Sequence, residues 1–237
     1  MNKFTRRTVI AAACAAAAMT FAPMSFAQQA PEKKDVTIAV GGKSLYYYLP
    51  LSIAEQLGYF KDEGLNVKIV DFQGGSRSLQ AVVGGSADVV SGAFEHTISM
   101  QAKKQPMTAF VLQGRAPQLA LVVSNKTMKD YKQLSDLKGK KVGVTAPGSS
   151  SQMVANFILK KGGLGPKDVA FIGVGSSSGA VSAIRSGQID ALINLDPVIT
   201  ILLKNGDAKL VADTRKVKES ESFFGGTMPA GCLYAPV

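Results

Sequence analysis

Apolar and polar positions fall into short blocks along this chain, and the blocks follow one another in a fixed order. Val36-Thr37-Ile38-Ala39-Val40 is a brief apolar run closed by Gly41-Gly42, which predicts a strand ending in a loop. From Tyr48 to Phe60, apolar residues Leu49, Ile53, Leu57 and Phe60 recur every three or four positions, which predicts a helix. Gly64 stops it, and residues 65–72 alternate as a strand. A Gly74-Gly75-Ser76 loop, a helix from Ser78 to Val83, a Gly84-Gly85 stop and a strand at 87–91 complete the block.

The same order returns about 102 residues later. A strand at 142–146 leads to a helix at 152–161, a Gly162-Gly163 stop and a strand at 169–174. The Gly175-Ser176-Ser177-Ser178 loop, a helix at 180–185, Gly187 and a strand at 190–194 follow. Val67 aligns with Val169, Ser76 with Ser178, Gly85 with Gly187 and Asp88 with Asp190. Two copies of strand-helix-strand-helix-strand predict an α/β fold of two lobes, each a mostly parallel sheet flanked by helices. Ligands of such sheets bind beyond the carboxyl ends of the strands, so the four glycine/serine loops face one cleft between the lobes. The crossover between the lobes is expected near 115–125, where Arg115-Ala116-Pro117 precedes the apolar run Leu119 to Val123.

Composition adds an address and excludes several functions. The 237 residues are 46% hydrophobic and 19% charged, enough for a sizeable core. Lys3, Arg6 and Arg7, an apolar run from Thr8 to Ala22 and the small residues around Ser25-Phe26-Ala27 predict a secretory signal peptide over 1–27. Thr5-Arg6-Arg7-Thr8-Val9-Ile10 partly matches a twin-arginine signal, and both export routes stay open. Loss of this leader, which carries three cations and no acid, lowers the formal net charge from +10 to +7. The remaining basic residues are scattered, without the basic, aromatic-studded face that nucleic acid requires. Cys14 leaves with the leader, so Cys232 stands alone and no internal disulfide or cysteine-based metal site is expected. His96 is the single histidine, which rules out multi-histidine metal sites and leaves at most one imidazole for catalysis; no metal, cofactor or catalytic residue is expected.

The loops carry the candidate chemistry. Gly143 to Ser151 and Gly41-Gly42-Lys43-Ser44 each look like part of a nucleotide phosphate loop. Position 149 is Ser where the phosphate-bridging Lys belongs, and Thr37 stands where the second stretch needs its leading Gly, so neither motif is complete and nucleotide hydrolysis is not expected. Ser149, Ser150 and Ser151 open a helix, where hydroxyls and unpaired amides either cap the helix or hold an anion. Gly75 and Ser76 offer similar donors. Of Tyr46, Tyr47 and Tyr48, one or two rings are expected to wall the cleft. Ala93, Phe94 and Glu95 follow a strand, with Glu95 placed to meet an amino group of a ligand or to cap the next helix. Asn194 and Asp196 close the equivalent strand of the second copy.

Several of these stretches resemble a known family. Leu49-Pro50-Leu51, Gly58 to Val67, Gly84 to Asp88, Asp136 to Val144 and Gly187 to Ala191 are similar, in the same order, to the solute-binding proteins of nitrate/sulfonate/taurine-type ABC importers. The resemblance implies a type II periplasmic binding protein that captures a small, anionic solute by hinge closure, with expected boundaries of 34–116 plus 229–237 for the first lobe and 117–228 for the second. It would act as a monomer and hand the solute to an inner-membrane permease. It places ligand contacts at Ser44, Tyr46, Tyr47, Gly75, Ser76, Ala93, Phe94, Glu95, Ser149, Ser150, Ser151, Asn194 and Asp196. The same superfamily includes pyrimidine-precursor binders and a pyrimidine synthase, so an enzyme on this scaffold is the alternative, as is a sensor that presents its solute to a membrane receptor. Members run on beyond the second crossover with helices that complete the first lobe. The stop at Val237 therefore implies a truncated chain with apolar surface uncovered on that lobe.

Overall fold

Two five-stranded sheets, each flanked by helices, form the computed structural model, which describes residues 31–237. The expected signal peptide, its twin-arginine pattern and Cys14 lie outside the described residues. The first sheet contains β1 (Asp35–Val40), β2 (Asn66–Asp71), β3 (Val89–Ala93), β4 (Met107–Leu112) and β10 (Gly231–Pro236), in the spatial order β2-β1-β3-β10-β4. The second contains β5 (Ala120–Ser124), β6 (Lys141–Val144), β7 (Ala170–Gly173), β8 (Ala191–Asn194) and β9 (Ala208–Asp213), in the order β7-β6-β8-β5-β9. In each, one strand runs against its neighbours: β10 pairs antiparallel with β3 and β4, and β5 with β8 and β9. The sheets are therefore mostly parallel, and their carboxyl ends carry the loops of interest.

The internal repeat has a physical counterpart. Asp88 Oδ2 accepts the Thr37 amide at 2.8 Å, and Asp190 Oδ2 accepts the Lys141 amide at 2.9 Å. Each aspartate also donates its own amide to the carbonyl of the same residue, Thr37 or Lys141. The two aspartates thus pin the entry of a third strand to that of a first, once in each sheet. For Asp88, the hydrogen bond from Lys33 and then the Thr37 amide hold the carboxyl below its ordinary pKa.

Helices α1 (Leu49–Gln56), α2 (Tyr59–Asp62), α3 (Gly75–Val83) and α4 (Glu95–Ala102) belong to the first copy. Helices α5 (Ser150–Lys161), α6 (Ser178–Ser186), α7 (Val198–Lys204) and α8 (Val217–Phe224) follow. The helix expected over 48–60 is broken in two, because Gly58 adopts φ +80° and ends the first piece. The apolar stripe of α1 is also displaced from the core. Leu49, Ile53 and Leu57 are exposed, and Leu51 is the buried residue. On the edge strand β4, Phe110, Val111 and Leu112 are exposed as well. The cores elsewhere are tight: Leu121, Val142, Ile158, Leu159, Leu192 and Ile193 are all fully buried.

Candidate functional site

Residues Lys33–Val237 form one compact unit, and the loops at the carboxyl ends of the two sheets meet directly within it. Ser76 opens α3 of the first sheet and Ser149 precedes α5 of the second. The Ser76 amide donates to Ser149 Oγ at 3.0 Å, and Ser149 Oγ donates to Ser76 Oγ at 3.2 Å. Ser76 Oγ donates in turn to the Pro147 carbonyl at 2.9 Å. A second strut lies further along, where the Tyr46 amide donates to the Asp196 carbonyl at 3.1 Å. These bonds define a seam between the two sets of loops.

The sequence-predicted residues divide into three groups along this seam. In the first, the polar side chains are engaged within the protein. Ser151 Oγ accepts the Thr145 amide at 3.0 Å and pairs with Thr145 Oγ1 at 2.9 Å. Asn194 is fully buried, with Nδ2 donating to the Gly175 carbonyl and Oδ1 accepting the Leu195 amide. Asp196 Oδ1 accepts the amide and hydroxyl of Thr200, and its Oδ2 accepts Arg215 Nη1 at 3.0 Å. Ser149 makes no side-chain cap on α5, because its hydroxyl faces Ser76 instead.

The second group supplies walls and backbone. Gly75 lies against His96, whose Cε1 is 3.2 Å from where a Cβ would stand. Ala93 is buried, and the Phe94 amide is held by the Ala230 carbonyl at 2.8 Å. Ser44 is exposed and lines a cavity of about 360 Å³ with Ser176, Ser177 and Ser178. Ser150 is partly exposed. Tyr46 is 64% exposed, so its amide joins the seam while its ring faces solvent. The Gly41-Gly42-Lys43-Ser44 stretch owes its shape to Asp71, whose Oδ1 accepts the Gly42 and Lys43 amides at 2.7 and 2.9 Å. The Lys43 ammonium pairs with Glu55 rather than facing a phosphate.

The third group is unusual. Tyr47 Oη, Glu95 Oε1 and His96 Nε2 are buried and have no hydrogen-bond partner. All three come from the carboxyl edge of the first sheet: Tyr47 follows β1, and Glu95 and His96 follow β3. An unsatisfied buried polar atom costs about 1–3 kcal/mol, so three together need an explanation. Burial pushes the Glu95 carboxyl up to about 7, with its own backbone amide opposing. Burial likewise pulls His96 down to about 4, with the Gly148 backbone opposing and the Lys103 charge adding to the fall. Burial also drives the Tyr47 hydroxyl well above its ordinary value, with Tyr48, Glu95, Cys232 and Tyr234 contributing.

Two residues of this site escaped the sequence reading. Tyr234, on β10, is fully buried and sits 3.0 Å from His96 Nδ1. Arg215, beyond β9, bridges Asp213 and Asp196. Both arrive from distant parts of the chain on the late strands, and no local motif marks them. Among the described residues no cluster of histidine, cysteine or acid side chains could hold a metal ion. No helix among them is long and apolar enough to cross a membrane.

Comparison with known proteins places this architecture. A solved structure from Bordetella bronchiseptica superimposes with a TM-score of 0.85 at 64% identity, covering 86% of this chain and 64% of the other. The alkanesulfonate-binding protein SsuA of Xanthomonas axonopodis pv. citri, bound to MOPS, has the same fold, with a TM-score of 0.65 at 22% identity over 87% of this chain and 66% of its own. The 4-amino-5-hydroxymethyl-2-methylpyrimidine phosphate synthase of Schizosaccharomyces pombe is 27% identical over 162 residues, 68% of this chain and 45% of that protein. The chain therefore spans less than two thirds of the Bordetella structure and under half of the yeast synthase. The same fold is seen in the periplasmic nitrate-binding protein NrtA of Synechocystis, with a TM-score of 0.70 at 16% identity over 87% of this chain and 56% of the other. Residues 46–214 match the NMT1/THI5-like family, and the chain belongs to that family.

Proposed function

We propose that this protein is the solute-binding component of an ABC importer, exported to the periplasm and acting by closure of two lobes on a small solute. The lobes are residues 34–116 with 229–237, and residues 117–228. The seam between the sheets carries this reading. Four hydrogen bonds join loops at the carboxyl ends of the two sheets, where open α/β sheets bind ligands. Contacts of this kind form when lobes close and part when they open. Residues at the seam, including Gly75, Ser76, Tyr47, Glu95 and Ser149, are the proposed solute contacts, and an inner-membrane permease is the proposed recipient. A role in binding rather than catalysis is supported by the binding proteins that share the fold.

Calorimetric screening of the purified chain against small solutes tests this. Ser149→Ala removes the acceptor of the Ser76 amide and the donor to Ser76 Oγ, so affinity for any solute found is expected to fall about fivefold to thirtyfold, the effect of losing about 1–2 kcal/mol of closed-state hydrogen bonding. Binding of no solute at all, or full affinity in Ser149→Ala, would overturn the assignment.

A further inference from the structure

We infer that the solute of this cleft carries a protonated nitrogen group, of the amidinium or ammonium kind, which is received by the Glu95 carboxylate. The inference rests on the binding role proposed above and deepens it. It begins with the polar atoms that the protein leaves unused. The hydroxyls of Ser76 and Ser149 already bond to each other and that of Ser76 to the Pro147 carbonyl, while the Ser151 hydroxyl pairs with Thr145. The side chains of Asn194 and Asp196 are likewise engaged. Two basic side chains near the seam are paired as well, Arg215 with Asp213 and Asp196, and Lys43 with Glu55. An anionic head held by Ser76 and Ser149 would have to break the bonds between them.

The buried atoms left unused have the opposite character. Glu95 is 8% exposed and its Oε1 has no partner, while Tyr47 Oη and His96 Nε2 lie buried and unpartnered on the same sheet edge. A carboxylate is an acceptor of up to two parallel N–H bonds, a match for an amidinium fork. A tyrosine hydroxyl beside it either accepts a further N–H or donates to a ring nitrogen. Buried polar atoms without partners are rare in folded proteins, and a cleft that opens to a ligand is a place where they are expected.

The groups facing Glu95 leave its charge state simple. Tyr47 and Tyr48 face it from the segment after β1, and Cys232 and Tyr234 from β10. All four stay neutral through pH 8, since burial raises Tyr48 and Cys232 to about 12 and the other two well above 10. The neighbouring His96 is neutral above pH 5. Glu95 is then the group that changes charge between pH 6 and 8: a neutral acid at pH 6 and a carboxylate at pH 8.

The test is calorimetry of the full chain with charge-matched probes: benzamidinium against benzenesulfonate, ethylammonium against ethanesulfonate, and taurine, which carries both groups. The cations are expected to bind at least tenfold more tightly than their sulfonate partners at pH 8. Their affinity should fall about tenfold between pH 8 and pH 6, with close to one proton released per cation bound at pH 6. Glu95→Gln, which keeps the shape and removes the charge, should abolish both the preference and the pH dependence. The wild-type pH profile and proton release carry the same information if that variant does not fold. Tighter binding of the sulfonates, with cation affinity independent of pH, would overturn the class of solute while leaving the binding role intact. Absence of binding by every probe, cationic, anionic and zwitterionic, would overturn both.

Discussion

Replacing Gly42 with alanine is expected to hold the seam open. A Cβ at this position would lie 2.1 Å from Ser176 Oγ, 2.9 Å from Ser176 Cβ and 3.1 Å from Leu45 Cδ1. Ser176 is 7% exposed and belongs to the other sheet, so its short side chain has little room to retreat. Relief comes most readily from separation of the two loops. Overpacking of this kind costs about 1–3 kcal/mol, which would shift the proposed balance of closed and open forms by roughly fivefold to more than a hundredfold. A second effect acts on both forms. Gly42 has φ +114°, where a side chain is strained, so global stability falls as well.

The two effects are separable by experiment. The amides of Ser76 and Tyr46 donate across the seam, so their hydrogen exchange reports closure without any solute. Gly42→Ala should accelerate exchange at these two amides at least tenfold relative to β1 amides, and should lower solute affinity in parallel. Adding Ser176→Gly removes the obstacle and should restore both properties, while the loss of thermal stability from the backbone remains. Unchanged exchange at Ser76 and Tyr46 in the single variant would show that the loops absorb the methyl group without parting.

Within the two copies of the repeat the order of strands and helices is legible in the sequence, because each block is bounded by glycine and its apolar period is short and regular; the four strands outside the copies, at 107–112, 120–124, 208–213 and 231–236, are not. The aligned Asp88 and Asp190 were legible as a repeat, and the structure supplies the reason: both carboxylates fasten strand entries. The stripe Leu49, Ile53, Leu57 shows where periodicity fails. Spacing identifies a face of a helix, but burial needs a partner for that face, and among the described residues this one stays exposed. The same limit applies to the serines. Their place at a helix start suggests donors for an anion, yet the bonds between Ser76 and Ser149 depend on two loops more than seventy residues apart. Glu95 stood out in the sequence as a residue after a strand. Its unusual setting was not visible there, because Tyr234 and Cys232 approach it on a strand that enters the first sheet from the far end of the chain.

Arg215→Ala is expected to produce the largest loss of stability among substitutions outside the apolar core. Arg215 grips Asp213 with two side-chain bonds, Nε to Oδ1 at 2.8 Å and Nη2 to Oδ2 at 2.9 Å. It reaches Asp196 Oδ2 with Nη1 at 3.0 Å. Asp213 is 3% exposed, so removal of the guanidinium leaves a buried carboxylate with the amide of residue 215 and the more distant Lys216 charge in its place. Breaking a buried ion pair from one side costs about 3–5 kcal/mol; the 23% exposed side chain of Arg215 argues for the lower figure. A loss of about 3 kcal/mol corresponds to a fall of about 6–12 °C in melting temperature for a chain of this size. Burial opposes ionisation of Asp213, but the bonds and charge from Arg215 outweigh it and hold the carboxyl below its ordinary pKa. The sign follows from that direction. The pair stabilises the fold above the pKa of an unfolded aspartate, about 4, and the contribution fades as pH falls through the lower folded value. The wild type should therefore lose its advantage over Arg215→Ala below pH 4, and the two melting curves should converge in acid. Arg215→Lys keeps the charge but cannot offer the planar fork to Asp213 while also reaching Asp196, so it should recover less than half of the lost stability at pH 7. Full recovery by lysine would show that charge alone, and not the fork that ties the end of β9 to the loop after β8, holds this side of the seam.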